Sequence, residues 1–363
     1  MKRHKIIISG GGTGGHIFPA IAIGSEIEKR YIDSELLFVG AYNKMEMQQI
    51  PRAGFRFVGL WIDGFQRSFS LRNFLFPLKL VVSLIQSLFI IVRFRPNAVV
   101  GTGGFASGPL LQVAQWMRIP TLIQEQNSYP GITNKILGQN AEAICVGFQG
   151  MERFFPKEKT YYTGNPIRQN ITQFDISPSH AKQHLDLNLK KRTLAVLGGS
   201  LGARTINNLI GKELHFIMNL GYQIVWQCGK LYYDQYASME NQTVKVMPFI
   251  TEMQSFYAAA DLIIARAGAV TIAELCCVGK PSILVPSPNV AANHQVKNAK
   301  TLVDQQAAII IEEIDLENEF EKTFLDLAQD EKKQSEMGSK IRALAKPNAT
   351  LQIVDELEKI ILS

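Results

Sequence analysis

The chain has 363 residues, which corresponds to about two domains of ordinary size. Hydrophobic residues make up 46% and charged residues 19%, which excludes a disordered chain, a collagen-like chain and a small disulfide scaffold. The net charge of +6 is compatible with an anionic partner but does not name one. The four cysteines show no metal-ligand spacing and fit reduced thiols.

Short β-branched runs alternate with helical stretches in the first half of the chain. Strands are predicted at 5–9, 35–40, 98–101, 121–124 and 143–146, with a helix from about Pro19 to Tyr31. This alternation predicts a parallel, doubly wound α/β sheet. Ligands of such a sheet bind at the carboxyl ends of its strands.

The same alternation restarts after a proline-containing stretch at 165–179. Further strands are predicted at 193–197, 223–228, 244–248, 262–265 and 282–285. The segment from about 331 to the end is predicted to be helical, with Pro347 between its helices. We therefore predict two similar α/β domains.

Three glycine-rich turns each follow a predicted strand, at 10–16, 101–109 and 198–203. Glycines allow backbone N–H groups to approach a phosphate at a helix start, and tight packing alone is the structural alternative. The first turn also fits G-x-G-x-x-G, but no acid follows the second strand until Glu46, which argues against a dinucleotide. No D-x-D pair is present, which favours a diphosphate held without a metal.

Polar side chains follow several predicted strands. His16 comes directly after the first turn and suits a base or a phosphate ligand, or else a structural helix-start histidine. The cluster 124–127 is predicted to bind hydroxyl groups, with a plain loop as the alternative. Arg168 is predicted to clamp a phosphate, or else to bridge the domains.

A second polar run, 266–274, follows a predicted strand and enters a helix. The N–H groups of 269–271 are placed to bind a phosphate. Glu274 is placed to accept two ribose hydroxyls, and its alternative is an acid favoured by the helix dipole. Gln295, in the sequence Asn-His-Gln at 293–295, is predicted to contact sugar hydroxyls.

Residues 64–124 contain no Asp or Glu, but carry arginines and aromatic residues. The apolar segment 74–92 contains Pro77 and Lys79, so we expect no spanning helix. Basic residues among aromatics and leucines favour attachment to an anionic bilayer surface. A buried helix is the alternative, and nucleic acid is disfavoured because the basic residues form no dense stripe.

Six motifs occur in order over nearly the whole chain: GGTGGH (11–16), GGFASGP (103–109), EQN (125–127), GNPIR (164–168), GGSLGAR (198–204) and RAGAVTIAE (266–274). Together they resemble the MurG family of bacterial glycosyltransferases. The resemblance implies a GT-B fold, with two Rossmann-like domains facing each other across a cleft. Residues 1–165 would bind the acceptor and the membrane, 166–342 would bind UDP-GlcNAc, and a last helix at about 343–363 would pack back on the first domain.

The resemblance also implies a reaction and its place. GlcNAc would pass from UDP-GlcNAc to the C4 hydroxyl of MurNAc in lipid I (undecaprenyl-diphosphoryl-MurNAc-pentapeptide), with inversion, giving lipid II for peptidoglycan synthesis. The protein would be peripheral on the cytoplasmic face of the inner membrane, attached through Phe65–Arg95. It would need no cofactor or metal and bind no nucleic acid. Its protein partners would belong to cell-wall synthesis and division, linking it to cell shape and the cell cycle.

The family's functional residues carry over by motif. His16 and Glu125 are the candidates for base or acceptor positioning. The donor-binding residues would be Thr13, Gly14, Gly15, Asn127, Arg168, Ser200, Ile250, Ala269, Val270, Thr271, Ile272, Ala273, Glu274 and Gln295. Phe105 and Ala267 depart from the family's usual tyrosine and serine. The alternatives are another GT-B enzyme, such as a glycolipid synthase or a UDP-GlcNAc 2-epimerase, and a non-catalytic nucleotide-sugar-binding scaffold.

Overall fold

The computed structural model describes residues 4–64, 75–172, 176–199 and 201–362. The chain divides into two units. The first comprises Met1–Ile167 together with Pro347–Ser363, and the second comprises Arg168–Lys346. The division falls two residues after the predicted one, and the end of the chain belongs to the first unit.

A seven-stranded parallel sheet forms the centre of the first unit. Its strands are β1 (Lys5–Ser9), β2 (Glu35–Ala41), β3 (Phe57–Leu60), β4 (Ala98–Gly101), β5 (Thr121–Glu125), β6 (Ala143–Val146) and β7 (Thr160–Tyr162). They lie in the order β3-β2-β1-β4-β5-β6-β7. The order reverses between β1 and β4, so the crevice beyond their carboxyl ends is where a ligand is expected.

The helices of this unit connect its strands. They are α1 (Gly14–Arg30), α2 (Glu46–Arg52), α3 (Phe76–Phe94), α4 (Ser107–Trp116) and α5 (Ile132–Gly138), followed by 3-10 turns at Met151–Arg153 and Lys157–Lys159. The first helix begins five residues before the predicted Pro19, because the glycine turn leads straight into it. The N–H groups of His16 and Ile17 already bond to the carbonyl of Thr13.

The second unit repeats the architecture with six parallel strands. They are β8 (Arg192–Leu197), β9 (Tyr222–Gln227), β10 (Val244–Met247), β11 (Leu262–Ala265), β12 (Ser282–Leu284) and β13 (Ile309–Ile310), in the order β10-β9-β8-β11-β12-β13. Its helices are α6 (Gln169–Thr172), α7 (Pro178–His184), α8 (Arg204–Asn219), α9 (Tyr233–Tyr236), α10 (Met253–Ala259), α11 (Ala269–Val278), α12 (His294–Val303), α13 (Leu316–Gln329) and α14 (Glu331–Ala343), with 3-10 turns at Ala237–Met239 and Ala291–Asn293.

The last helix, α15 (Ala349–Leu362), packs on the sheet of the first unit beside α1. Alternate residues of β1 point to opposite faces of the sheet and belong to the two hydrophobic cores of that unit. Ile6 and Ile8 pack with Leu357 of α15, whereas Ile7 packs with the opposite core, which includes residues of α3 to α5. A parallel strand covered on both faces has a continuous apolar run, as β1 does at Ile6–Ile8.

Candidate functional site

The two glycine turns of the first unit contact each other at the reversal between β1 and β4. The N–H of Gly11 donates to the carbonyl of Gly103 at 3.3 Å, and that of Thr102 donates to Ser9 at 2.8 Å. Gly104 has a φ of +84°, and a Cβ there would lie 2.2 Å from the Gly11 carbonyl oxygen. Only glycine fits at position 104, and the two turns form one continuous backbone surface.

His16 lies in the first turn of α1 against this surface. Its Nδ1 donates to the carbonyl of Gly11 at 2.9 Å and lies 3.3 Å from Oγ1 of Thr13. Because a carbonyl oxygen only accepts, this contact fixes the tautomer in which Nε2 carries the lone pair. A Cβ on Gly103 would lie 3.3 Å from that Nε2. The ring therefore lies over the second turn with its basic nitrogen beside the backbone.

Glu125 ends β5 and is 2% exposed. One carboxylate oxygen accepts from the backbone and side chain of Asn127, and the other from Gly131 N and Asn134 Nδ2. Burial raises the pKa of Glu125, while these hydrogen bonds lower it. The carboxylate thus orders the loop between β5 and α5. Asn134 also approaches Gly103, since a Cβ there would lie 3.4 Å from its Nδ2.

The polar cluster after β5 differs from its prediction. Gln124 and Gln126 are buried, and Gln124 Nε2 donates to Asn165 at 3.0 Å while Gln126 Nε2 donates to the carbonyl of Thr102 at 2.8 Å. These amides join neighbouring loops rather than presenting an edge to a hydroxyl-rich ligand. Within the cluster, Asn127 is the residue that is partly exposed.

Glu46 is a residue of this site that sequence reasoning missed. It is fully buried, and its carboxylate accepts from Gly12 N and Ala41 N, both at 3.1 Å. A Cβ on Gly11 would lie 2.2 Å from its Oε1. Glu46 thus supports the first glycine turn from inside the unit. Its position as the first acid after β2 was the available signal.

In the second unit, α11 begins at Ala269, as the sequence predicted. Gly268 is its N-cap and offers no side chain to the first N–H groups, which have no intrahelical acceptor. Val270, Thr271 and Ala273 are partly exposed, whereas Ala269 and Ile272 are buried. This helix start is suited to an anion.

Glu274 lies in the second turn of α11, beyond the first-turn position that a dipole-favoured acid would take. It is 6% exposed, and the hydroxyl of Tyr257 donates to its Oε2 at 2.9 Å. Burial raises the pKa of Glu274, and the charge of Arg168 and the Tyr257 hydrogen bond lower it. The structure thus brings Arg168, Tyr257 and Glu274 together, and no sequence motif had marked Tyr257.

Two further predicted donor contacts, Ile250 and Gln295, belong to other elements of the second unit. Ile250 is buried in the loop after β10, and Ser200 lies outside the described residues. Gln295 lies in the first turn of α12, and its Oε1 accepts from Ser287 N at 2.9 Å. Ala292, just before that helix, has a φ of +53°. Thr13, Gly14 and Gly15 belong instead to the α1 start of the first unit.

Helix α3 exposes apolar side chains and buries polar ones. Ser83 and Ser87 are fully buried, whereas Phe89 is 71% and Ile85 49% exposed. Further exposed apolar residues on this unit include Leu78, Val81, Leu88, Val92, Trp116, Ile132 and Ile136. By length and composition, α3 is also the one described helix that could cross a membrane, with 17% of its apolar window buried. The residues predicted for attachment between 65 and 74 lie outside the described residues.

No group of three or more His, Cys, Asp or Glu suited to a metal occurs among the described residues. All four cysteines are free and buried.

Family comparisons match both halves of the chain. Residues 6–146 match the glycosyltransferase family 28 N-terminal domain, and residues 193–353 match the glycosyltransferase family 28 C-terminal domain. The chain belongs to glycosyltransferase family 28. Its two Rossmann-like units are those of the GT-B fold.

Relatives in this family match over their whole length. A protein of Christiangramia forsetii is 53% identical over 98% of both chains, and one of Flavobacterium psychrophilum is 50% identical over 100% of this chain and 99% of its own. Both are named UDP-N-acetylglucosamine–N-acetylmuramyl-(pentapeptide) pyrophosphoryl-undecaprenol N-acetylglucosamine transferase.

Solved structures agree with this assignment. The crystal structure of Acinetobacter baumannii MurG is 27% identical, covers 99% of this chain and 100% of its own, and gives a TM-score of 0.79. A UDP-N-acetylglucosamine 2-epimerase structure also shares the fold, with a TM-score of 0.65 at 15% identity, covering 98% of this chain and 96% of its own. At that identity the likeness to the epimerase shows the fold alone.

Proposed function

We propose that this chain transfers GlcNAc from UDP-GlcNAc to the C4 hydroxyl of MurNAc in lipid I, with inversion, to give lipid II. The observation that carries the proposal is the match to both family 28 domains, together with full-length relatives named for this donor and acceptor. The first unit binds the acceptor, and the second binds the donor.

The donor site is built on α11. Its N-terminal N–H groups, with Arg168 and Ser200, hold the diphosphate and stabilise the charge that develops as UDP departs. Glu274 accepts the ribose hydroxyls, Ile250 lies by the uracil, and Gln295 contacts GlcNAc hydroxyls. Thr13, Gly14, Gly15 and Asn127 contribute from the first unit.

The chemical step is a direct displacement. The C4 oxygen of the acceptor forms its bond to the anomeric carbon while the bond to UDP breaks, and the electron pair leaves on the diphosphate. Nε2 of His16 takes the hydroxyl proton, since the contact of Nδ1 with Gly11 leaves the lone pair on Nε2. Glu125 is the alternative base, but its four hydrogen bonds and 2% exposure favour a supporting role.

The exposed apolar face of α3 attaches the first unit to the membrane that holds lipid I. Arg93 and Arg95 are exposed at the end of this helix, and Arg118 follows α4, so the face combines apolar side chains with positive charge. That combination suits an anionic lipid surface. We infer a peripheral protein on the cytoplasmic face of the inner membrane, serving cell-wall growth, cell shape and division alongside the proteins of that machinery.

The deciding experiment follows labelled GlcNAc from UDP-GlcNAc to a short-chain lipid I analogue in the presence of EDTA. Labelled disaccharide lipid is expected, because backbone N–H groups, Arg168 and helix ends hold the diphosphate without a divalent metal. Release of UDP with free sugar and no lipid product would instead indicate an epimerase or a hydrolase. Dependence of the transfer on added Mg²⁺ would contradict the metal-free donor site.

A further inference from the structure

The buried carboxylate of Glu274 is held at one oxygen. The hydroxyl of Tyr257 donates to Oε2 at 2.9 Å, and both residues are buried, Tyr257 completely. Among the described residues, Tyr257 is the hydrogen-bond partner of this carboxylate. Oε1 is therefore the oxygen left to accept from a ligand.

A carboxylate in this environment needs such a partner. A buried charge costs free energy unless hydrogen bonds or opposite charges compensate for it, and Arg168 supplies charge but no described hydrogen bond to Glu274. The phenol is rigid and cannot lose a proton to the carboxylate, because burial and the neighbouring Glu274 raise the pKa of Tyr257 well above its usual value. Tyr257 therefore remains the donor to the ionised carboxylate of Glu274.

We propose that Tyr257 is a positioning residue that fixes Glu274 so that its second oxygen selects the ribose of a uridine diphosphate donor. This inference rests on the proposed function, since it concerns the donor site described there. Tyr257 lies on α10 and Glu274 on α11. The packing of α10 therefore determines the orientation in which the Glu274 carboxylate meets the ribose hydroxyls. The phenol itself acts only through the carboxylate.

The test measures binding of UDP and of 2′-deoxy-UDP by titration calorimetry, with no acceptor present. The wild-type protein should prefer UDP by about ten- to a hundredfold, as expected for one hydrogen bond to a charged acceptor. Tyr257→Phe should weaken UDP binding by about tenfold and bring the preference close to one. Glu274→Gln should also lower the preference.

Tyr236→Phe is the matched control. Tyr236 is also buried in the second unit, and its hydroxyl donates to Asn208 Oδ1 at 2.7 Å. Loss of that hydroxyl should lower stability to a similar extent and leave both affinities unchanged. Loss of the UDP preference in this variant as well would show a general effect of unit stability and overturn the proposal.

The pH dependence of UDP affinity distinguishes positioning of Glu274 by Tyr257 from a merely structural role of Tyr257, which would leave this dependence unchanged. Tyr257 and Arg168 both lower the pKa of Glu274, and Glu274 in turn raises the pKa of the neighbouring Cys277 thiol. Removing the Tyr257 hydroxyl removes a contribution that lowers the pKa of Glu274, so this pKa rises further. Binding needs the ionised carboxylate, and the acid limb of UDP affinity should therefore move to higher pH in Tyr257→Phe.

A double variant covers the case in which Tyr257→Phe does not fold, because Glu274→Gln removes the buried charge that the phenol compensates. Tyr257→Phe should cause no further loss of UDP affinity in the Glu274→Gln background. A further loss there, or a single variant with unchanged preference and pH profile, would overturn the inference. Absence of UDP binding by the wild-type protein would instead overturn the proposed donor.

Discussion

At the scale of single residues, the site depends on buried polar groups that fix neighbouring backbone and side-chain groups by hydrogen bonds. Glu46 accepts the Gly12 N–H, Glu125 accepts the N–H groups of Asn127 and Gly131, and Tyr257 donates to Glu274. The carboxylates of Glu46 and Glu125 replace water as the hydrogen-bond partners of these backbone N–H groups, which would otherwise be unsatisfied. The ligand-facing atoms are therefore placed before any ligand arrives, which favours electrostatic stabilisation of a transition state.

His16→Asn tests the assignment of the base. The asparagine amide can still donate to the Gly11 carbonyl as Nδ1 does, but the basic Nε2 is lost. Turnover should fall by about 10²–10⁴, the usual contribution of a general base, with UDP affinity unchanged. Steady-state transfer to a lipid I analogue measures the first quantity, and calorimetry the second.

His184→Asn is the matched control, since His184 lies in the second unit with its Nδ1 2.9 Å from Ser255 Oγ. It should keep wild-type turnover. A His16→Asn enzyme that turns over at the wild-type rate would eliminate His16 as the base.

At the scale of elements, the sequence predicted buried strands better than edge strands. The central strands β1 and β4 have the predicted bounds, and β2 differs by one residue. The strands that the sequence did not predict are β3, β7 and β13, and each lies at the edge of its sheet. Edge strands are short and half exposed, so they lack the continuous apolar run that marks a strand buried on both faces.

Helix α3 shows a different limit of sequence patterns. The sequence showed the length of its apolar segment but not which face is buried, because the polar residues Ser83 and Ser87 face inward where apolar residues are expected. Their hydroxyls bond to carbonyls within the helix, Ser83 to Leu80 and Ser87 to Ser83, both at 2.7 Å. Satisfied in this way, serines can pack closely inside the unit and leave the larger side chains outside.

The double variant Ile85→Ser/Phe89→Ser tests membrane attachment by α3. Each large apolar side chain contributes about 1.5–3 kcal/mol when buried, so affinity for phosphatidylglycerol-containing vesicles should fall at least tenfold. Vesicle co-sedimentation at low and high salt measures this. Added salt should weaken the remaining binding, because it screens the arginines.

Leu231→Ser/Ile314→Ser is the control, since both residues are highly exposed in the second unit, at 75% and 85%. It should bind vesicles like the wild-type protein. Equal losses in the two double variants would mean that exposed apolar surface in general, and not α3, carries the attachment.

At the scale of the whole molecule, the chain builds two similar units and ends in the first. Ile353, Val354 and Leu357 of α15 belong to the core of that unit, and Arg30 of α1 pairs with Asp355 and Glu358. Helix α15 thus contributes to the core of the first unit. The second unit has a core of its own, which includes Phe320, Phe324 and Leu327 of α13.

Leu357→Ala and Leu327→Ala test this division as a matched pair. Each removes a buried leucine and should cost about 2–5 kcal/mol of unfolding free energy. In scanning calorimetry, Leu357→Ala should lower the transition of the first unit and Leu327→Ala that of the second. If both variants shifted one common transition equally, independent cores would be contradicted.

By itself, the sequence determined the α/β alternation, the two repeated halves, the glycine turns and the order of six motifs that resemble one family. These features are local, because strand patterns, helix starts and glycine turns each depend on a few neighbouring residues. The tertiary structure alone decided that Gln124 and Gln126 face inward, that Glu46 supports the first turn and that Tyr257 holds Glu274. Those contacts join residues 17 to 41 positions apart, and no local pattern specifies which distant partner satisfies a buried polar group.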